Sequence, residues 1–103
     1  MGLDTPPTAL FTSQYAVTLG GVRALHDLGL EHQVAFIAFD DIVLADLVRP
    51  AITVMARDAT RLGTLAAERI FARLDGDTSP VQTLVVAAEL ITRGSGEIRP
   101  LDR

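Results

Sequence analysis

Residues 34–47 read VAFIAFDDIVLADL. Apolar residues run unbroken from Val34 to Phe39, stop at two adjacent carboxylates, Asp40 and Asp41, and then give way to a second apolar stretch. An apolar run without alternation marks a strand covered on both faces, which is the signature of a parallel sheet between helices. In such sheets polar ligands gather at the carboxyl ends of the strands. The two like charges stand at that position, so the neighbouring strand ends decide what they are for.

Working outward, QVAFIAF (33–39) is flanked by two further apolar runs, TALFT (8–12) and AITVMA (51–56), both of strand length. Pro6-Pro7 forbids helix before the first of them. From Gln14 to Leu28 the period is helical: Val17, Gly21, Ala24 and Leu28 form one stripe, with Val22 and Leu25 beside it and Gly29 placed as a left-handed cap. Gly20-Gly21 inside that helix costs about 1 kcal/mol each relative to Ala, and implies close approach of another backbone. Asp41–Val48 reads as a short helix or turn before Arg49-Pro50. Asp58 is a good N-cap for a helix whose buried stripe is Leu62, Leu65, Ala66, Ile70 and Leu74, closed by Gly76. DGDTSP (75–80) is turn chemistry, Leu84–Ile91 reads as a last strand, and Gly94–Arg103 as a frayed end. The alternation predicts an α/β fold with a parallel, Rossmann-like sheet and flanking helices.

Composition sets the bounds. The chain has 103 residues, 49% hydrophobic and 21% charged, enough for one domain or part of one. A net charge of −4 lacks the basic footprint that phosphate neutralisation needs, so this polypeptide by itself is not expected to bind nucleic acid. There is no cysteine, and all nine basic residues are arginine. Thiolate and Schiff-base chemistry are therefore excluded. No apolar run is long enough to span a bilayer and Met1-Gly2-Leu3-Asp4 is not a signal peptide, which makes cytoplasm the expected compartment.

Three predicted strands end in polar residues: Thr12-Ser13-Gln14, Asp40-Asp41 and Arg57-Asp58. Adjacent strands lie about 4.8 Å apart, so Gln14, Asp40 and Arg57 are expected to meet around one small polar solute if their strands are neighbours. A carboxylate accepting vicinal hydroxyls beside amide and guanidinium donors suits a polyol or sugar. Strand-end carboxylates also cap helices; that is the preferred reading for Asp41 and Asp58, while for Asp40 both readings stand. Neighbouring carboxylates at a strand end point apart and make a poor general acid–base pair. His26 and His32, six residues apart, do not have metal-ligand spacing on a helix. No enzyme, metal site or cofactor is predicted.

ALFTSQYAVTLGGVRALHDLGL, VAFIAFDDIVLADLVRPAITVMARDATRLGTLAAERIFARLDG and LVVAAELITRGS together resemble the C-terminal part of the lactose- and galactose-repressor (LacI/GalR) family of transcription regulators. The resemblance runs from about Thr8 to Ser95. It implies a periplasmic-binding-protein-like effector domain that binds a small molecule, often a sugar, between two lobes, and so alters operator affinity of a separate N-terminal DNA-binding domain. The family's Gly-Phe/Tyr-Asp-Asp appears here as Ala38-Phe39-Asp40-Asp41, which favours Asp40 as the acceptor of ligand hydroxyls. Where the family has Asn followed by Asp or Asn, this chain has Gln14-Tyr15. Its Arg-Gln-Pro triplet is Ala56-Arg57-Asp58 here, placing Arg57 at a position that often points into the cleft.

The resemblance further implies a homodimer or higher oligomer with Leu19, Val22 and Leu44 at the interface, intramolecular core being the other reading of those residues. It implies that the chain is a partial sensing domain, with second-lobe elements at about 8–57 and a crossover helix and last strand at about 58–95. The DNA-binding domain and first lobe are then absent. The apolar stripe of the 58–75 helix is expected to fold back on the sheet or swap into a neighbouring chain, with self-association. The alternative with the same fold is a periplasmic-type sugar-binding protein of a transport system; the block PAITVMARDATRLG favours the regulator.

Overall fold

The computed structural model describes residues 4–100. The chain divides into two compact units, one reaching to Ala56 and resuming at Glu89, the other Arg57–Ala88. The first unit is built on a four-stranded sheet of order β1-β2-β3-β4, with β1 at Ala9–Thr12, β2 at Ala35–Phe39, β3 at Thr53–Ala56 and β4 at Glu89–Ile91. β1, β2 and β3 are parallel, in the register Thr12↔Ala38 and Phe39↔Met55. β4 runs antiparallel to β3, with Met55 opposite Leu90, so the sheet is mixed. The expected strand over 84–91 shrinks to its last three residues, because 84–88 belong to the second unit and have no ladder partner there.

The first helix, α1 (Tyr15–Asp27), ends as its sequence predicts. Gly29 takes φ 68°, its N–H donating to the His26 carbonyl and the Leu30 N–H to that of Leu25. Those paired bonds satisfy carbonyls the helix end would otherwise leave unmade. Its buried stripe is rotated from the expected one. Thr18 and Leu25 are buried and Gly21 and Val22 half-buried, whereas Val17 and Leu28 are exposed. The reason is Thr18, whose hydroxyl bonds that of Thr12 at 2.7 Å and donates to the Gln14 carbonyl at 3.0 Å. A satisfied hydroxyl can occupy the core where an unsatisfied one would cost about 1–3 kcal/mol. Of the two glycines only Gly21 is closely approached, and by a side chain rather than a backbone: a Cβ there would lie 2.9 Å from the Phe36 ring, while Gly20 faces open space.

The core of this unit is Leu25, Val34, Phe36, Ala38, Ile42, Ala45, Ile52 and Val54. α1 and the turns over 41–48 supply its cover on one sheet face. No helix forms over 41–48; Ile42 and Ala45 are nevertheless buried. On the opposite face lies a 3-10 turn at Ser95–Glu97, where a Cβ on Gly96 would stand 2.9 Å from Ile37 Cγ1 and from Thr53 Cβ.

That turn overturns the expectation of a frayed end where it covers Ser95–Glu97; its last part, 101–103, lies outside the described residues. Ser95 is only 1% exposed. Its hydroxyl accepts the Thr53 N–H at 2.8 Å and donates to the Phe36 carbonyl at 2.6 Å. The Thr53 hydroxyl accepts the N–H groups of Arg93 and Gly96, each at 3.1 Å, and donates to the Glu97 carboxylate at 2.9 Å. Five hydrogen bonds thereby meet at one point under β3, which is why a polar, glycine-containing sequence packs here.

In the second unit α2 (Ala59–Leu74) begins at Asp58, whose carboxylate accepts the Arg61 N–H at 2.9 Å, the expected cap. Gly76 (φ 101°) closes it. Leu62, Leu65 and Ala66 face Gln82, Leu84 and Val86 across a shallow groove. No residue of α2 is buried, and Ile70 and Leu74 of the expected stripe are 60% and 75% exposed.

Gly96→Ala forces a methyl group into the sheet face, 2.9 Å from Ile37 Cγ1 and from Thr53 Cβ, an atom that no side-chain rotation moves. The expected loss is about 1–3 kcal/mol, the range for overpacking, with a lower urea midpoint and an unchanged slope. Gly20→Ala, in open space on α1, is expected to stabilise slightly.

Candidate functional site

The parallel register fixes which residues share an edge. Thr12 and Ala38 pair, so Gln14 and Asp40, each two residues further on, leave β1 and β2 at the same level. Gln14 is the residue before α1, extended at φ −150°, with an exposed side chain that makes no hydrogen bond to the helix. Its carbonyl is engaged by the Thr18 N–H at 2.8 Å, which anchors the backbone. Tyr15, the residue after it, is 47% exposed.

Asp40 is half-buried and holds φ 73°, making it the one non-glycine residue in the left-handed region among those described. That conformation costs an L-residue of this kind roughly 1 kcal/mol or somewhat more, and such costs persist where surroundings enforce them. Here the Asp40 N–H donates to the Met55 carbonyl at 2.8 Å, extending the β2–β3 ladder one residue past the strand before the chain turns away.

Asp41 departs from the expected role. It caps no helix: Oδ1 accepts the N–H of Ile42 at 2.9 Å, and both oxygens take Arg93, Oδ1 from Nη1 and Oδ2 from Nη2, each at 2.8 Å. Nη1 of Arg93 also donates to the Ile52 carbonyl at 3.1 Å. The two hydrogen bonds from Arg93 hold the Asp41 carboxyl below its ordinary 3.8, its charge and the Ile42 N–H adding to them while partial burial opposes. The same partner pushes the Arg93 guanidinium further up. Sequence reasoning missed this pair because 52 residues separate its members. The only signal was an arginine following the last apolar run.

Arg57, the third expected ligand residue, is exposed and opens the second unit. The edge of the first unit by itself therefore carries Gln14 and Asp40. Of the three expected interface residues, Leu19 and Leu44 are 43% and 52% exposed, whereas Val22 is half-buried against the core. Together with Ile42 and Val48 they line an open groove of about 460 Å³ between α1 and the 41–48 turns. Among the described residues no group of three or more His, Cys, Asp and Glu is placed to hold a metal ion. No helix among them is long and apolar enough to cross a membrane.

A parallel strand–helix–strand unit with polar strand ends on one edge is common to many binding folds, and sequence comparison narrows it. Residues 1–96 match the periplasmic binding protein-like domain family. The chain belongs to that family. Within the periplasmic binding protein-like proteins it is similar to the HTH-type transcriptional regulator PtxS of Pseudomonas aeruginosa, 41% identical over 91 residues, covering 86% of this chain and 27% of PtxS. It is similar to the ribose operon repressor of Escherichia coli K12, 33% identical, covering 86% of this chain and 28% of the repressor. Among solved structures it resembles a sugar-binding transcriptional regulator of the LacI family from Escherichia coli, complexed with phosphate. That match has 34% identity and a TM-score of 0.65, covering 85% of this chain and 32% of the other. The chain thus spans little more than a quarter of the length of the curated relatives named.

The Asp41 shift sets a pH dependence whose sign is fixed. Its folded pKa lies below the ordinary 3.8, so ionised Asp41 stabilises the fold fully above that value, and the contribution is lost as pH falls through the folded pKa. Asp41→Asn is expected to lower stability at pH 7, with the difference from the parent shrinking below pH 3.8. Urea unfolding from about pH 2.5 to about pH 7, which spans the ordinary carboxyl midpoint, reads it.

Proposed function

We propose that this chain is the effector-binding and dimerisation part of a LacI-type transcription regulator, acting by binding rather than by catalysis. The observation that carries this reading is the edge at Gln14 and Asp40. An amide and a carboxylate stand at matched levels on adjacent parallel strands, and the carboxylate sits on a backbone conformation that costs free energy to hold. Backbone strain at a polar strand end is characteristic of residues kept for a ligand.

The effector is a sugar or related polyhydroxylated metabolite. Asp40 accepts its hydroxyl hydrogens, and Gln14 supplies a donor and an acceptor. The regulatory names and the sugar-binding description of the relatives support this class. They favour it over the transport alternative, since PtxS, the ribose operon repressor and the E. coli regulator all control transcription. Operator DNA is bound through a separate N-terminal domain, in the cytoplasm, and the effector acts by binding one domain arrangement more tightly than another. Leu19, Val22 and Leu44 form the homodimer contact. The apolar residues left exposed on α2, among them Phe71 and Leu74, are covered by the first lobe in the whole regulator and by self-association in this chain.

Isothermal titration of the regulator against pentoses, hexoses and sugar acids tests the ligand assignment. Asp40→Ala removes a charge-assisted acceptor worth about 1.5–3 kcal/mol, so affinity for the true effector is expected to fall roughly 10- to 100-fold. Unchanged affinity removes Asp40 from the site. Sugar binding by the whole protein with no operator binding restores the transport reading. For the interface, light scattering of the Leu19→Glu/Leu44→Glu double variant is expected to show a smaller species than the parent.

A further inference from the structure

We infer that the Asp41–Arg93 pair positions the effector-binding carboxylate, so that residues 93–97, far from Asp40 in sequence, form part of the sensing site. The functional meaning of this inference rests on the reading of Asp40 as the effector's acceptor; the geometry behind it does not.

Asp40 lies between two anchored groups. On its amino side the N–H is held by the Met55 carbonyl at 2.8 Å. On its carboxyl side the next residue is fixed through its own side chain, which receives the Ile42 N–H and both terminal nitrogens of Arg93. Arg93 is itself held at two points away from Asp41. Its backbone N–H donates to the Thr53 hydroxyl and its guanidinium to the Ile52 carbonyl. The anchor therefore ends in β3 and in the Ser95–Glu97 turn, not in solvent.

A planar guanidinium gripping both carboxylate oxygens fixes orientation as well as distance. A surface ion pair of one contact would leave Asp41 free to rotate and Asp40 free to relax to an ordinary right-handed conformation. The Arg93 side of this pair is the less exposed, 19% against 43% for Asp41, so the more rigid partner is the one on the sheet. Asp41 and Arg93 are thus positioning residues: they act through Asp40 and need touch no effector.

The test reads Asp40 directly and uses no effector. In the 15N-labelled 103-residue chain, the Asp40 amide exchange rate and its intraresidue HN–Hα cross-peak, strong for a left-handed residue, are compared among the parent, Asp41→Asn, Arg93→Gln and Arg93→Lys. Leu25→Ala serves as a core variant that lowers global stability without touching the pair. The expected result for Asp41→Asn and Arg93→Gln is a rise in Asp40 exchange at least tenfold beyond the rise at Ala38 and Val54, with a weakened cross-peak. Arg93→Lys keeps the charge but not the fork, and is expected to fall between parent and Arg93→Gln. Leu25→Ala is expected to raise all three amides by one common factor.

Equal changes at Asp40, Ala38 and Val54 in the pair variants overturn the inference, as does an unchanged Asp40. Loss of the folded spectrum in both Asp41→Asn and Arg93→Gln also overturns it, since the pair then serves the fold as a whole. Failure to find an effector for Asp40 leaves this result standing. Failure here leaves Asp40 available as an acceptor held by other means.

Discussion

A single buried hydroxyl carries the first unit. Ser95 Oγ sits where β2 and β3 begin, taking the Thr53 N–H and giving its proton to the Phe36 carbonyl. Those are backbone groups of two adjacent strands, and the serine replaces a direct ladder bond between them. Both are shut off from water, and leaving either unmade costs about 1–3 kcal/mol. The 93–97 segment is thus bound to the sheet by the sheet's own need for partners, and the Thr53 hydroxyl joins the same segment from the other side.

From that node the constraint travels to the edge that bears the polar groups. Once Ser95–Glu97 is seated, Arg93 is delivered beside Ile52 and within reach of Asp41. Asp41 then fixes the turn that leaves Asp40 left-handed at the end of β2. The parallel register, set by apolar strands that need cover on both faces, brings Gln14 to the same level. Strand order, hydrogen-bond satisfaction and one ion pair together place an amide and a carboxylate at one edge of the sheet.

The elements carrying strong local signals were legible in sequence. VAFIAF reads as a doubly covered strand because its apolar run is unbroken. The helix over 59–74 is announced by Asp58 and closed by Gly76, both of which act as their chemistry requires. Asp40 stood out because a charge follows an apolar strand directly. What stayed hidden depends on contacts between distant segments. Thr18 enters the core through a hydroxyl on β1, which no periodicity of apolar residues can show. Arg93-Gly94-Ser95-Gly96-Glu97 has the composition of a loose end, and its burial is visible only when Thr53 is beside it. The strand expected over 84–91 failed for the complementary reason: its apolar residues carry β propensity, but only Glu89–Ile91 have a partner in β3.

The Thr53 amide offers the most direct measurement of this account. Its proton is held by Ser95 in the buried heart of the unit, so hydrogen exchange at that site is expected only through global unfolding, at a rate matching the slowest amides of β2 and β3. Exchange of the Thr53 amide several orders of magnitude faster than those neighbours, in a chain that remains folded, would show the 93–97 segment unseated and contradict the account at its base.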